Sequence, residues 1–218
     1  MLEKIFYRVQ IILLASLMPT LLFNKINRLT WYKNTLRIWA DDQRFGAHSK
    51  VLEVGCASGI LTEHLASTCR TAVGVDYSAK MIEVAKFNHS EIDFLVANVL
   101  DLPFADNFFD NVIAASVLNI VEDKVKAVSE IFRTCKKGGV VSVLVPLAGF
   151  SDLRLDLLQT SLKNTKFSSA AMNAWHRLAP KMNVNEITSL FKQTGLIQIA
   201  TKPYLQGMVI AVSATKPF

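Results

Sequence analysis

VLEVGCASG, residues 51–59, is a short apolar run holding one acidic residue, then a glycine, three small residues and a second glycine. The stretch that follows, GILTEHLAS, has helical spacing of its apolar residues, so the glycines fall where a strand turns into a helix. In an open parallel sheet that junction is where ligands bind, between the carboxyl end of the strand and the helix N-terminus. A dinucleotide loop would read G-x-G-x-x-G. Here Ala57 stands at the middle glycine, Ile60 holds the sixth position and Gly59 arrives one residue early, so a dinucleotide fits poorly. Asp76 ends the next apolar run, 21 residues beyond Gly55, where a carboxylate is placed to bind two ribose hydroxyls.

Strand-like and helix-like stretches alternate from there on. TAVGVD (71–76) predicts a second strand, and SAKMIEVAKF (78–87) a helix with Ser78 as N-cap. DFLVAN (93–98) and FDNVIAAS (109–116) predict the third and fourth strands. EDKVKAVSEIFRTCKKGG (122–139) predicts an amphipathic helix closed by glycine, and VVSVLVP (140–146) the fifth strand. Short connections between alternating elements argue a parallel sheet with helices on both faces. NVNEITSLFKQTG (183–195) predicts a further helix. LIQIATKPY and QGMVIAVSATK are two strands divided by little more than a turn, so they must pair antiparallel. The expected fold is α/β: a Rossmann-like, doubly wound seven-stranded sheet, mostly parallel, with an antiparallel C-terminal hairpin. An N-terminal helical segment (1–49) precedes the main domain (50–218), and residues 147–182 form a helical cap inserted in it.

Composition narrows the function classes. With 218 residues, half of them hydrophobic, the chain can bury a full core and is not a disordered or collagen-like sequence. Cys56, Cys69 and Cys135 are too few and too scattered for a disulfide framework, and without a CxxC pair no zinc or other metal site is expected. The net charge of +6 divides unevenly: residues 1–50 hold eight basic and three acidic residues, which leaves 16 basic against 15 acidic for the rest. A nucleic-acid enzyme more often spreads positive charge around its cleft, so nucleic acid is not the expected partner.

Four motifs in order resemble the class I S-adenosylmethionine-dependent methyltransferases. VLEVGCASG resembles their first motif, commonly V-L-D/E-x-G-C-G-x-G. VGVDYSAKMIEVAK resembles the second, with D-x-S-x-x-M spacing in Asp76, Ser78 and Met81. NVLDLPFADNFFDNVIAASVLNIVED resembles the third and fourth, and GLIQIATKPYLQGMVIAVSATKP the terminal hairpin. The match runs through about residues 50–146 and resumes near 183, closest in style to the ubiquinone and menaquinone C-methyltransferases. The resemblance implies S-adenosylmethionine as cofactor and assigns roles by position. Gly55 and Gly59 would let the backbone approach the methionine part, with Cys56 and Ala57 between them, and Glu53 would accept hydrogen bonds near the amino group. Asp76 would take the ribose hydroxyls. Tyr77 and Met81 would line the adenine, Leu100 its other face; Asn98 replaces the usual aspartate there, and Val99 would contribute a backbone amide. Ser116 would face the methionine portion.

Methyl transfer from a sulfonium is an in-line displacement with a good leaving group, so alignment and a dry site matter more than a catalytic triad. If the acceptor carries a proton at attack, His176 in AAMNAWHRLAP is the candidate base, and Asn119 the candidate for orienting the acceptor. Acceptor identity is expected to reside in the N-terminal segment and the cap, whose Trp31, Tyr32, Trp39, Phe150, Phe167 and Trp175 suit a small lipophilic molecule. The apolar run Ile11–Phe23 is too short to span a bilayer and is interrupted by Pro19. Lys4 and Arg8 before it invite a signal-peptide reading, against which stand the lack of a small-x-small cleavage site and a cytosolic cofactor. Two readings stay open: a helix packed on the body as a lid or homodimer surface, or an interfacial helix with Lys25, Arg28 and Lys33 on anionic lipid. The expected location is the cytoplasm, with peripheral contact at the inner membrane surface through residues 1–33 as the extension. RNA or protein methylation, and a non-catalytic partner protein of the same fold, are the alternatives, the last kept open by Ala57 and Asn98.

Overall fold

Seven strands in the order β3-β2-β1-β4-β5-β7-β6 make one sheet in the computed structural model, which describes residues 7, 10, 11, 17, 19–162 and 165–218. β1 (Lys50–Val54), β2 (Thr71–Asp76), β3 (Asp93–Val96), β4 (Phe109–Ala115) and β5 (Cys135–Pro146) run parallel, while β7 (Val209–Thr215) lies antiparallel between β5 and β6 (Ile197–Tyr204). The strand order reverses direction at β1 and β4, which opens a crevice at their carboxyl ends. Both faces of the central strands are buried, as parallel strands covered by helices must be.

Local signals explain most of the helices. The Ser78 hydroxyl accepts the Met81 N–H at 3.3 Å and starts α4 (Ala79–Asn88); Asn183 does the same for Glu186 at 2.8 Å ahead of α8 (Val184–Gln193). α3 (Ile60–Thr68) begins at Gly59, whose φ of +83° few other residues tolerate. The helix expected over 122–139 is shorter. α5 (Lys124–Thr134) ends at Cys135, whose extended backbone pairs with Phe109, so Lys136–Gly139 open β5 rather than cap a helix. Gly139 is required there because a Cβ would fall 2.2 Å from the Asp110 carbonyl oxygen. The third strand stops at Val96 rather than Asn98, where the Asn98 side chain folds back to accept the Leu100 N–H at 3.0 Å.

Two cores lie on the two faces of the sheet. One joins α5 and α8 to the strands through Val128, Ile131, Ile187 and Phe191. The other joins α2 (Thr30–Asp42), α3, α6 (Asp152–Leu162) and α7 (Lys166–Leu178). Within it Trp39 is fully buried and donates its indole N–H to Ser142 on β5 at 3.0 Å. The carboxylate of Asp42 accepts from Lys202 at 2.7 Å and from the Tyr204 hydroxyl at 2.8 Å. Residues 30–42 are thus part of the sheet's core. α1 (Pro19–Asn27) precedes them, its buried Leu22 and Ile26 packed on Ala171 of α7. Much of the run Ile11–Phe23, with Lys4 and Arg8, lies outside the described residues. Among the described residues no helix is long and apolar enough to cross a membrane.

Candidate functional site

Three turns meet at the carboxyl ends of β1, β2 and β4. The Gly55 and Cys56 N–H groups donate to the Val75 carbonyl at 2.7 and 2.9 Å, closing the first turn against β2. Asp76 completes it: one carboxylate oxygen accepts the Ala57 N–H and the other the Ser78 N–H, each at 2.9 Å. Gly55 has φ +78°, and a Cβ there would lie 2.3 Å from a methyl of Val117 in the turn after β4. Ala57 adopts φ +46° and Ser116 φ +56°, both in the left-handed region that costs a residue with a Cβ about 1–2 kcal/mol. Strained backbone on two sides of one crevice marks it as a site whose shape is held by its surroundings.

The crevice is a cavity of about 360 Å³. Strand ends and their turns supply Glu53, Gly55, Cys56, Ala57, Asp76, Ser78, Ala115, Ser116, Val117 and Ile120; α3 adds Ile60 and Leu61, and α4 adds Met81. The remaining wall comes from Ile26, Asn27, Tyr32, Leu36 and, on α7, Trp175. Among the described residues, two carboxyl groups line this space and no lysine, arginine or histidine does. Such a lining suits a ligand with hydroxyl donors and positive charge, and it repels phosphates.

Glu53 is 3% exposed and accepts the Thr62 hydroxyl of α3. Burial, opposed by that hydrogen bond and reinforced by the charge of Asp76, pushes its pKa from 4.5 up to about 7. Burial likewise raises the Cys56 thiol far above its ordinary value, helped by Glu53 and Asp76, so it stays protonated and is no nucleophile. Tyr32 is raised too, by burial foremost; its hydroxyl lies against Ser116 and in the field of Glu53.

Of the residues expected from sequence, Glu53, Gly55, Cys56, Ala57, Asp76, Met81 and Ser116 meet around the cavity. The others lie elsewhere. Gly59 does not line the cavity: it is packed beneath Phe94 and His89, where a Cβ would lie 2.6 Å from the Phe94 ring. Tyr77 is 79% exposed at the turn before Ser78 and does not line the cavity. Asn98, Val99 and Leu100 form a self-closed turn beyond it, Val99 and Leu100 packing on the main core. His176 is buried against Phe150, 3.7 Å from the Asp152 carboxylate, and burial lowers its pKa below 6.5. It does not line the cavity that its neighbour Trp175 lines, successive helical residues pointing about 100° apart. Asn119 is also off the cavity wall: its amide donates to the Pro180 carbonyl at 3.2 Å and ties the turn after β4 to the end of the cap. Sequence reasoning did not place Tyr32, Leu36 and Trp175 in the cofactor crevice. Only their aromatic and apolar character was legible.

A family profile described as a methyltransferase domain matches residues 52–143. The demethylmenaquinone methyltransferase of Renibacterium salmoninarum is 36% identical over 94 residues, which cover 43% of this chain and 40% of that protein. The chain spans about 40% of the length of the first curated relatives it matches. That of Bacillus cereus strain AH187 is 28% identical over 204 residues, covering 86% of this chain and 84% of the relative. Among solved structures, YcgJ from Bacillus subtilis is 17% identical with a TM-score of 0.64, covering 85% of this chain and 99% of that one. Phosphoethanolamine N-methyltransferase 2 of Haemonchus contortus, solved with S-adenosyl-L-methionine, is 17% identical with a TM-score of 0.66, covering 91% and 57%. At these identities the structural likeness establishes the fold.

Proposed function

We propose that the chain is a class I S-adenosylmethionine-dependent methyltransferase that methylates a small, lipophilic acceptor of the quinone kind by in-line displacement. The observation that carries this reading is the cavity at the ends of β1, β2 and β4: among the described residues its lining has two carboxyl groups, no basic residue, and a mainly apolar and aromatic remainder. When bound, S-adenosylmethionine supplies a methyl group already activated as a sulfonium. The protein's share is alignment and dryness. Asp76, held by two backbone N–H groups, keeps lone pairs for ribose hydroxyls, and Glu53 stands ready to accept from an ammonium. Met81, Leu36, Ile60 and Trp175 exclude water from the transfer line. Of the expected N-terminal segment 1–49, residues 30–42 belong to the core, so in this proposal the part before Thr30 forms the lid and residues 147–182 the substrate cap of the 50–218 domain.

The acceptor reading draws on the relatives' substrate and on the apolar walls contributed by α1, α2 and α7. A membrane-surface role for the N-terminal segment draws on Leu17 (74% exposed) and exposed Leu21 beside Lys25 and Arg28. Calorimetry with S-adenosylmethionine, followed by transfer of labelled methyl to demethylmenaquinone in detergent or to total RNA, tests the first two statements. Label entering the quinone supports them; no binding at millimolar cofactor, or label entering RNA instead, overturns them. Liposome co-sedimentation with and without residues 1–24 tests the third, and equal sedimentation refutes it.

A further inference from the structure

We infer that Tyr32 and Trp175 form a charge-reading wall of the cofactor cavity, holding the positively charged sulfonium more tightly than the neutral thioether left after methyl transfer. The inference rests on the cofactor reading above. The two rings come from α2 and α7, both outside the matched residues 52–143, and both line the same cavity. Their centroids are 6.0 Å apart with planes at 70°, so they make a corner. Trp31 backs it, 5.5 Å from Tyr32 and 5.9 Å from Trp175. Trp31 is 3% exposed, Trp175 9%, and Tyr32 is half-buried, so the corner is assembled before any ligand enters.

Three facts point the corner at a cation. Among the described residues no lysine, arginine or histidine lines the cavity, and no cationic side chain sits over either ring. The polar groups are spent elsewhere: Asp76 and Glu53 sit at the strand ends, suited to hydroxyl and ammonium donors. The sulfonium joins the amino-acid and ribose portions of the cofactor, and the Tyr32 hydroxyl lies against Ser116 and in the field of Glu53, so the corner stands beside the strand-end groups suited to those two portions. An aromatic face attracts a desolvated cation more strongly than a neutral thioether. The same wall therefore favours the loaded cofactor and releases the spent one.

Calorimetric Kd values for S-adenosylmethionine and S-adenosylhomocysteine, measured on the full chain, give the discrimination ratio. Tyr32→Leu and Trp175→Leu are each expected to reduce that ratio on the order of tenfold, mainly by weakening the sulfonium form. Tyr32→Phe, which keeps the ring, is expected to hold it within about twofold. Should a leucine variant fail to unfold cooperatively, graded fluorination of the tryptophan at position 175 drains the ring's charge at constant shape; affinity for the sulfonium form is then expected to fall stepwise while the thioether form is unmoved. Equal binding of the two forms by the unaltered protein, or an unchanged ratio in the ring-deleted or fluorinated protein, overturns the inference. Failure of both forms to bind refutes the cofactor reading itself.

Discussion

Replacing Glu53 by glutamine is expected to abolish the pH dependence of stability that this group imposes. The carboxyl is buried and its pKa is raised from 4.5 to about 7, chiefly by burial. A raised pKa means that between those pH values the native state keeps a proton that the unfolded chain releases. Stability from this group is therefore full below pH 4.5 and is lost as pH rises through 7. The difference of about 2.5 pKa units corresponds to roughly 3 kcal/mol. Glu53→Gln stays neutral, keeps an oxygen for the Thr62 hydroxyl, and escapes that loss. Urea unfolding of both proteins at pH 5 and pH 8 should show the variant gaining about 2–3 kcal/mol on the parent between the two conditions, part of the loss having already occurred by pH 5. A cation beside Glu53 favours its ionised form, so S-adenosylmethionine should also bind the parent progressively more tightly as pH rises through 7, by up to about tenfold per unit. The ligand's own amino group titrates alike with both proteins and cancels in the comparison. Parallel stability curves, or equal pH slopes of affinity, would show that Glu53 is neither desolvated nor next to the bound cation.

Asp76→Ala removes the acceptor of the Ala57 and Ser78 N–H groups, so calorimetry should show cofactor affinity falling by about 1.5–3 kcal/mol, and an unchanged Kd would refute the ribose assignment. Ala57→Gly relieves a left-handed alanine but frees the unfolded chain; a net stabilisation below about 1 kcal/mol in urea is expected, with cofactor Kd within a few-fold. A tightening of ten times or more would mean that the alanine methyl obstructs the cofactor. Trp39→Ala should cost about 3–5 kcal/mol in the same assay, because the indole is fully buried and bonded to Ser142; a loss under 1 kcal/mol would mean α2 is a detachable lid.

Much of the fold was legible because its determinants are local. Apolar runs of five or six residues, the Ser78 and Asn183 caps and the glycines at positive φ act within a turn of where they stand, so element order and most boundaries follow from neighbouring residues. KKGG misled for the same reason: read locally it ends a helix, whereas pairing with β4, which local sequence does not encode, draws Cys135 into the sheet. The site divides likewise. Gly55, Asp76 and Ser116 stand at strand ends that the sequence by itself determines, and there the strand direction aims the turns at one crevice. Only the tertiary structure decided that Trp175 rather than His176 reaches the cavity, that Tyr32 arrives from a helix before the sheet begins, and that Tyr77 and Asn98 stay out. Helix rotation is set by what the opposite face buries, and that depends on contacts between residues more than a hundred positions apart, such as Trp39 with Ser142. The ionisation of Glu53 belongs to this second class, since burial is a property of the assembled core and not of any stretch of chain.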